Sequence, residues 1–454
     1  MSAPGLIIAA PSSGSGKTVL TLGMIRHWTR TGRTVVSAKV GPDYIDPAFH
    51  AAASGRSCIN LDPWAMPVGR LAGAAARIAA GADIVVCEGV MGLFDGATAT
   101  RGSTADVAAA LGWPVILVLD VQAQAASVAA VVRGFATHRA EVRIAGVVFN
   151  RVGSRRHAEV LSEACAHFVP DIAVLGAVPR ADGLRLPERH LGLVQAREHP
   201  DLAVFLDRAA DLIAEHVDVR RLRGLARPAA TETGSLPSTP PIPPPGQRIA
   251  VADDDAFAFR YALVIDGWRA AGSEIIPFSP LADHAPTADA DAIYLPGGYP
   301  ELYAGRLAAN GTFLGGLRLA AARGAVVFGE CGGYMTMGDG LIDAEGAHHT
   351  MAGLLRLQTS FADRRLHLGY RMATVLADGP LGPAGARIFG HEFHYARTLC
   401  EGPGVPLFDC DDATGRSLGT TGLAQGRICG SFIHLINRAD DIDAPADLRN
   451  DCAP

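Results

Sequence analysis

The segment Gly329-Glu330-Cys331-Gly332-Gly333-Tyr334 follows directly on the apolar run Ala325-Val326-Val327-Phe328. A cysteine flanked by small residues between a strand and a helix forms a nucleophile elbow. The tight turn presents the thiol and leaves backbone N–H groups facing it. A helix N-terminus beside it is expected to lower the thiol pKa. The other seven cysteines lack this setting and read as buried hydrophobes or inert thiols. A thiol nucleophile needs a base, and His434 ends the apolar stretch Gly430-Ser431-Phe432-Ile433-His434. Pro296-Gly297-Gly298-Tyr299-Pro300-Glu301 follows another strand, so the backbone N–H groups of Gly298 and Gly332 form a candidate oxyanion hole. The rival histidines are His391 and His394 in Gly390-His391-Glu392-Phe393-His394-Tyr395. Their H-E-x-H spacing is not that of a zinc protease helix, so a zinc site is not expected there.

A second chemistry lies near the N-terminus, in Ala10-Pro11-Ser12-Ser13-Gly14-Ser15-Gly16-Lys17-Thr18. A phosphate loop needs consecutive backbone N–H groups converging on phosphate oxygens, here from Ser13, Gly14, Ser15 and Gly16. It also needs a lysine for the terminal phosphates, Lys17, and a hydroxyl for magnesium, Thr18. Pro11 stands where the usual first glycine belongs. Lys39-Val40-Gly41-Pro42-Asp43-Tyr44-Ile45-Asp46-Pro47 and Glu88-Gly89-Val90-Met91-Gly92-Leu93-Phe94-Asp95-Gly96 follow two later strands. In a parallel sheet such segments converge beyond the carboxyl ends of the strands. Asp46 and Glu88 are therefore expected, with Thr18, to hold Mg²⁺ beside ATP phosphates. Asp43 and Asp95 are weaker candidates, and helix capping is the alternative for all four carboxylates. Asn150, at the end of another strand, either pairs with an adenine edge or terminates the strand. Lysine occurs only at Lys17 and Lys39 among 40 lysines and arginines. That scarcity singles out both as places where a planar guanidinium does not substitute, with chance placement of Lys39 as the alternative.

These residues need a frame. Strand-like runs at 6–10, 34–40, 83–88, 115–121, 144–150 and 172–178 leave room between most of them for crossover helices, the pattern of a parallel sheet. The pattern stops in a proline-rich segment and resumes at 248–252, 274–277, 292–295 and 325–328. The expected fold is α/β, with two doubly wound, mostly parallel sheet domains. The first spans residues 1–227 and the second 248–438, joined by a semi-rigid linker at 228–247 and followed by an acidic tail at 439–454. With 454 residues, 49% hydrophobic and 19% charged, the chain is an ordinary globular mix. A net charge of -6 recommends no nucleic-acid or membrane-surface partner. Neither a signal peptide nor a spanning segment is apparent, and the eight cysteines contain no C-x-x-C pair. A cytoplasmic enzyme with reduced thiols is the expectation. The oligomeric state stays open, a homodimer included.

Together the motifs resemble one family. The Cys331 elbow, P-G-G-Y-P-E and His434 resemble a class I glutamine amidotransferase domain. Most such domains carry a glutamate two residues after the histidine, where this chain has Ile436. The arrangement therefore reads as a Cys–His dyad or one with its third member elsewhere. Fused behind a dethiobiotin-synthetase-like ATPase, this layout is similar to the cobyrinic or hydrogenobyrinic acid a,c-diamide synthases. A-P-S-S-G-S-G-K-T, K-V-G-P-D-Y-I-D-P, E-G-V-M-G-L-F-D-G and G-H-E-F-H-Y carry that resemblance from residue 10 onward. The resemblance implies a corrinoid polycarboxylate, glutamine and ATP as substrates, with Mg²⁺ as cofactor. It further implies that Cys331 releases ammonia through a thioester and that Lys39 contacts the reacting substrate. The structural alternative for Lys39 is a pairing with Asp43 or Asp46. Competing readings are an amidotransferase for other corrin carboxylates or a nickel tetrapyrrole, and a P-loop switch ATPase with a vestigial second domain.

Overall fold

The computed structural model describes residues 2–181, 184, 186, 188–189, 192–230 and 239–439. The chain divides into two compact units at Pro237/Ser238. In the first, seven strands form a wholly parallel sheet: β1 (Gly5–Ala9), β2 (Val35–Val40), β3 (Cys58–Leu61), β4 (Ile84–Glu88), β5 (Val115–Asp120), β6 (Ile144–Val152) and β7 (Ala173–Pro179). Their order is β3-β2-β4-β1-β5-β6-β7. Strand β1 is buried throughout, consistent with its unbroken apolar sequence and its place between β4 and β5. The register sets Ile8 beside Glu88 and Glu88 beside Lys39, so the charged residues share one height at the strand ends. Edge strand β3 was absent from the sequence expectation. Four residues are too few for a periodic signal, yet Asn60 on it donates to the carbonyls of Gly41 and Asp43 and fixes the loop after β2.

Helix α1 (Lys17–Arg30) leaves the phosphate loop and packs on the helix Leu202–His216. The approach is close at Gly23, where a Cβ would lie 2.6 Å from the Ala209 carbonyl oxygen. Helix α2 (Asp46–Ser54) starts where Asp43 Oδ1 accepts the N–H groups of Ile45 and Asp46, and Pro47 favours its first turn.

The second unit carries a ten-stranded sheet: β8 (Arg248–Ala252), β9 (Glu274–Phe278), β10 (Ala292–Leu295), β11 (Val326–Glu330), β12 (His367–Val375), β13 (Arg387–His394), β14 (Val405–Asp411), β15 (Ser417–Gln425), β16 (Ile428–Ser431) and β17 (Ile433–Arg438). The order is β9-β8-β10-β11-β16-β15-β14-β12-β13-β17. Pairing is parallel from β9 to β16 and antiparallel from β16 to β17. The α/β class holds, but this sheet is mixed rather than mostly parallel. Its antiparallel half has one face more open to solvent, so its strands lack the continuous apolar runs on which the expectation rested.

The proline-rich stretch 228–247 also differs from a uniform linker. Ala230 N–H donates to the Leu111 carbonyl in the first unit. Pro241 and Ile242 instead belong to the second: their carbonyls accept from Arg438 N–H and Trp268 Nε1–H, and Ile242 is buried. Prolines lack a donor but keep a carbonyl and an apolar ring, and a Cβ on Gly267 would lie 2.6 Å from Pro241 Cδ. Residues 231–238, and all of the expected acidic tail beyond Ala439, lie outside the described residues.

Candidate active sites

Beyond β1 the loop of residues 10–16 turns through left-handed backbone at Gly14 and Gly16, with φ of 76° and 89°. Asn150 Nδ2 donates to the Ser15 carbonyl at 2.9 Å, and a Cβ on Gly16 would lie 2.2 Å from that nitrogen. In this structure Asn150 thus braces the loop, while Ser13 and Gly14 stay exposed at its tip. Lys17 Nζ reaches back to two carbonyls, those of Met91 at 2.6 Å and Ser12 at 3.2 Å. Burial lowers its pKa to about 8.

Thr18, Lys39, Asp46 and Glu88 come together as the sequence predicts. Thr18 Oγ1 donates to Glu88 Oε1 at 2.7 Å. Lys39 Nζ donates to Asp46 Oδ2 at 2.5 Å and to Glu88 Oε1 at 2.9 Å, in a buried setting. The pairing with Asp46 is the structural alternative weighed above, and here it includes Glu88. Burial opposes the Lys39 charge, but Asp46 and Glu88 outweigh it and hold the ammonium well above its usual range. Burial also raises the pKa of Asp46, to about 6. Glu88 is held well below the carboxylate range, because Lys39 and His50 overcome its burial. Asp95 accepts the Gly92 N–H and, like Asp43, shapes its own loop. The hydroxyl of Thr18 and the carboxylates of Glu88 and Asp46 are hard oxygen donors beside a phosphate loop, which fits Mg²⁺.

Sequence reasoning missed His50. Its Nε2 lies 2.6 Å from Glu88 Oε2 and its Nδ1 lies 3.6 Å from Cys58 Sγ, with the ring fully buried. The signal was available: His50 follows Asp46 by four residues, so both share a helix face.

In the second unit β11 runs into Cys331, whose φ of 47° is left-handed, and then into the short helix Gly332–Met337. Close packing demands the glycines. A Cβ on Gly333 would lie 1.9 Å from the Leu295 carbonyl oxygen. One on Gly297 would lie 2.2 Å from His434 Cε1 and 3.2 Å from Cys331 Cβ, so both side chains flank the same glycine, and the Cys331 thiol lies 3.9 Å from the Phe393 carbonyl oxygen. One on Gly332 would lie 3.1 Å from Gly298 N, which brings both candidate oxyanion donors to one spot.

The expected lowering of the thiol pKa does not occur. Burial pushes Cys331 well up, and Glu301 adds to it, against an opposing hydrogen bond from Gly332 N–H. A helix of six residues supplies too little field to offset that desolvation. His434 is fully buried, and burial followed by the charges of His391 and His394 lowers it to about 3. The imidazole is therefore neutral at pH 7, the form that accepts a proton. Glu330, one residue before the nucleophile, brings a buried carboxyl group close to His434. Its Oε2 lies 3.9 Å from His434 Nδ1 and accepts from Tyr294 Oη–H at 2.7 Å, while its Oε1 accepts Leu435 N–H.

His391 stands directly across from His434 in the β13–β17 ladder. His367, Glu392 and His394 also lie together, within 4.8 Å of one another. Arg371 already holds the Glu392 carboxylate through Nε at 2.8 Å and Nη2 at 2.7 Å, and His394 Nε2 lies 2.9 Å from its other oxygen. The guanidinium thus places a positive charge on Glu392, while His394 Nδ1 is buried without a hydrogen-bond partner among the described residues.

The nucleotide-binding domain model shared by CobQ, CobB, MinD and ParA matches residues 6–194, and the CobB/CobQ-like glutamine amidotransferase domain model matches 248–442. The chain is 52% identical to a hydrogenobyrinate a,c-diamide synthase of Brucella anthropi, over 95% of this chain and 98% of that one. It is 51% identical to proteins of the same name from Mesorhizobium japonicum, over 97% and 100%, and Rhodobacter capsulatus, over 95% and 98%. No helix among the described residues is long and apolar enough to cross a membrane. With both domain models matched in order and half of all residues shared along nearly its whole length, the chain belongs to the hydrogenobyrinate a,c-diamide synthase family.

Proposed function

We infer that this amidating ligase converts the a and c carboxylates of hydrogenobyrinic or cobyrinic acid to amides, using ATP and glutamine. The observation that supports this reading is the presence, in one chain, of two clusters: Lys17, Thr18, Lys39, Asp46 and Glu88 at the strand ends, and Cys331 with His434 at the elbow. In the second unit Cys331 Sγ attacks the side-chain amide carbon of glutamine while His434 takes the thiol proton. The N–H groups of Gly298 and Gly332 receive the negative oxygen. His434 returns the proton to the departing nitrogen, ammonia leaves, and water hydrolyses the thioester to glutamate. Because the resting thiol is held protonated, attack is coupled to proton transfer rather than started by a standing thiolate.

In the first unit the backbone of residues 13–16 and Lys17 bind the ATP phosphates, and Asn150 keeps the loop in shape. A substrate carboxylate oxygen attacks the γ-phosphorus and ADP leaves; ammonia then attacks the acyl carbon and phosphate leaves. Thr18, Glu88 and Asp46 would hold Mg²⁺, which supplies charge neutralisation between the phosphates. Lys39 stabilises the charge that develops on the reacting oxygens. The test is mass spectrometry of hydrogenobyrinic and cobyrinic acids incubated with the enzyme, ATP, Mg²⁺ and glutamine. Two successive replacements of OH by NH₂ are expected. An unchanged ring with both substrates would overturn the assignment.

A further inference from the structure

We propose that His50 reserves one oxygen of Glu88, leaving a single oxygen for which the Lys39 ammonium and a divalent cation are alternative occupants. The inference rests on the reading of Thr18, Asp46 and Glu88 as metal ligands. Glu88 is fully buried and has two oxygens to share. Its Oε2 belongs to His50 at 2.6 Å, and that ring is itself fully buried and held at its other nitrogen by Cys58 Sγ, 3.6 Å away. With the ring buried and both of its nitrogens engaged, Oε2 is already taken. Everything else must use Oε1, where Thr18 and Lys39 already meet.

Lys39 is satisfied where it stands. An ammonium carries three donors. Here Asp46 Oδ2 at 2.5 Å, Glu88 Oε1 at 2.9 Å and the Gly89 carbonyl at 3.4 Å surround it. A divalent cation on Oε1 and Asp46 would face that ammonium at contact distance without water between them, and like charges there repel strongly. One of the two must go. Lys39 lets go only if other anionic acceptors are in reach, and nucleotide phosphates on the adjoining loop are such acceptors. Lys17 is poised in the same manner, resting on the carbonyls of Met91 and Ser12 rather than on a carboxylate. Lys39 thus stands where a divalent ion on Oε1 and Asp46 would sit, and the ion enters as the phosphates draw the ammonium away.

Mn²⁺ binding to the full-length protein, followed by electron paramagnetic resonance with and without a non-hydrolysable ATP analogue, tests this. Without nucleotide, Lys39→Gln should bind Mn²⁺ at least tenfold more tightly than wild type. With the analogue present, both should bind it. A second arm leaves Lys39 in place. His50→Gln keeps a donor where Nε2 stands and should behave as wild type; His50→Leu liberates Oε2 and should tighten nucleotide-free Mn²⁺ binding. Equal nucleotide-free affinities for wild type, Lys39→Gln and His50→Leu would overturn the exchange while leaving the ligand assignment intact. Failure of wild type to bind Mn²⁺ even with the analogue would overturn the ligand assignment itself.

Discussion

At the ends of β2 and β4 in the first unit, the Lys39 ammonium, an imidazole and two carboxylates crowd into a buried space, each tied to another, while the Lys17 ammonium beside them rests on backbone carbonyls. At the elbow of the second unit, burial keeps thiol and imidazole neutral, with Cys331 pushed up and His434 down to about 3. The contrast follows from the chemistry assigned to each. Phosphoryl transfer moves several negative charges, so the protein keeps fixed opposite charges ready and stabilises them against one another until a ligand arrives. Thioester formation begins from neutral partners and makes charge only as the proton moves, so a dry pocket with backbone donors serves it. Such groups are costly to ionise before substrate binds, which also protects the thiol.

The largest expected effect separates the two sites. Cys331→Ala should reduce glutamine-dependent synthesis and glutaminase activity to background, while synthesis from added ammonium salts stays near wild type. A folded Cys331→Ala protein that ammonia does not rescue would mean that the two chemistries are not independent.

Acidification should act in opposite directions on the two buried histidines of the second unit and on the charged cluster of the first, with the buried Glu330 carboxyl, raised to about 8, offsetting part of the histidines' loss. His391 and His434 are lowered to about 3, chiefly by burial, so between pH 6.5 and 3 the unfolded chain binds protons that the native state refuses. Stability from these rings is present above pH 6.5 and is lost as pH falls, by about 2 kcal/mol per ring between pH 7 and pH 5. In the first unit Asp46 is raised to about 6 and His50 to about 10. Burial drives the Asp46 shift. For His50 the partners Cys58 and Glu88 outweigh it. Both groups favour the protonated native state, so their contribution grows on acidification through the same window. Hydrogen exchange at pH 7 and 5 should show protection falling in β13 and β17 and holding in β2 and β4. Uniform loss across both sheets would erase the contrast.

Next in size is the base. His434→Ala should slow glutaminase turnover by about 10²-fold, the usual scale for a general base. His391 and His394 variants should act instead on synthesis or on coupling between the two activities. His391 faces His434 across the ladder, so its variant is the sharper control. A normal glutaminase rate in His434→Ala would remove the dyad.

The sequence made the candidate residues' positions legible where local pattern marks a turn. The phosphate loop, the elbow and the strand-end carboxylates all sit at strand-to-helix turns, and there the residue types themselves announce the turn. Contributions from elements with weak local signals were not legible. Strand β3 is four residues long, yet its Asn60 holds the Asp43 loop. Glu330 points toward His434 only because β11 and β17 approach in the folded sheet. The antiparallel half of the second sheet hides in strands whose faces are unequally buried. The fall of the thiol pKa was predicted from a helix N-terminus, but burial depends on what packs around the turn, which no local motif records.

The smallest expected effect bears on whether the charge-dense site needs an ammonium in particular. Lys39→Arg preserves charge, and the structural alternative, a lysine that merely clamps Asp46 and Glu88, tolerates it. Arginine also pairs with two carboxylates, often better than lysine. But the Lys39 position is buried, and its donor reaches three acceptors from a compact head on a flexible stem. A guanidinium is larger and fixed in its fork, so it neither fits between Asp46 and Glu88 in the same way nor moves as readily to a transferring phosphoryl group. Ammonia-dependent amidation by Lys39→Arg should therefore fall at least about tenfold, roughly 1.4 kcal/mol of transition-state stabilisation. Glutaminase activity, assigned above to the neutral pocket of the other unit, should barely change, so that the loss of amidation is not a loss of the whole fold. Near-wild-type amidation would make Lys39 a clamp, and the scarcity of lysine elsewhere a coincidence.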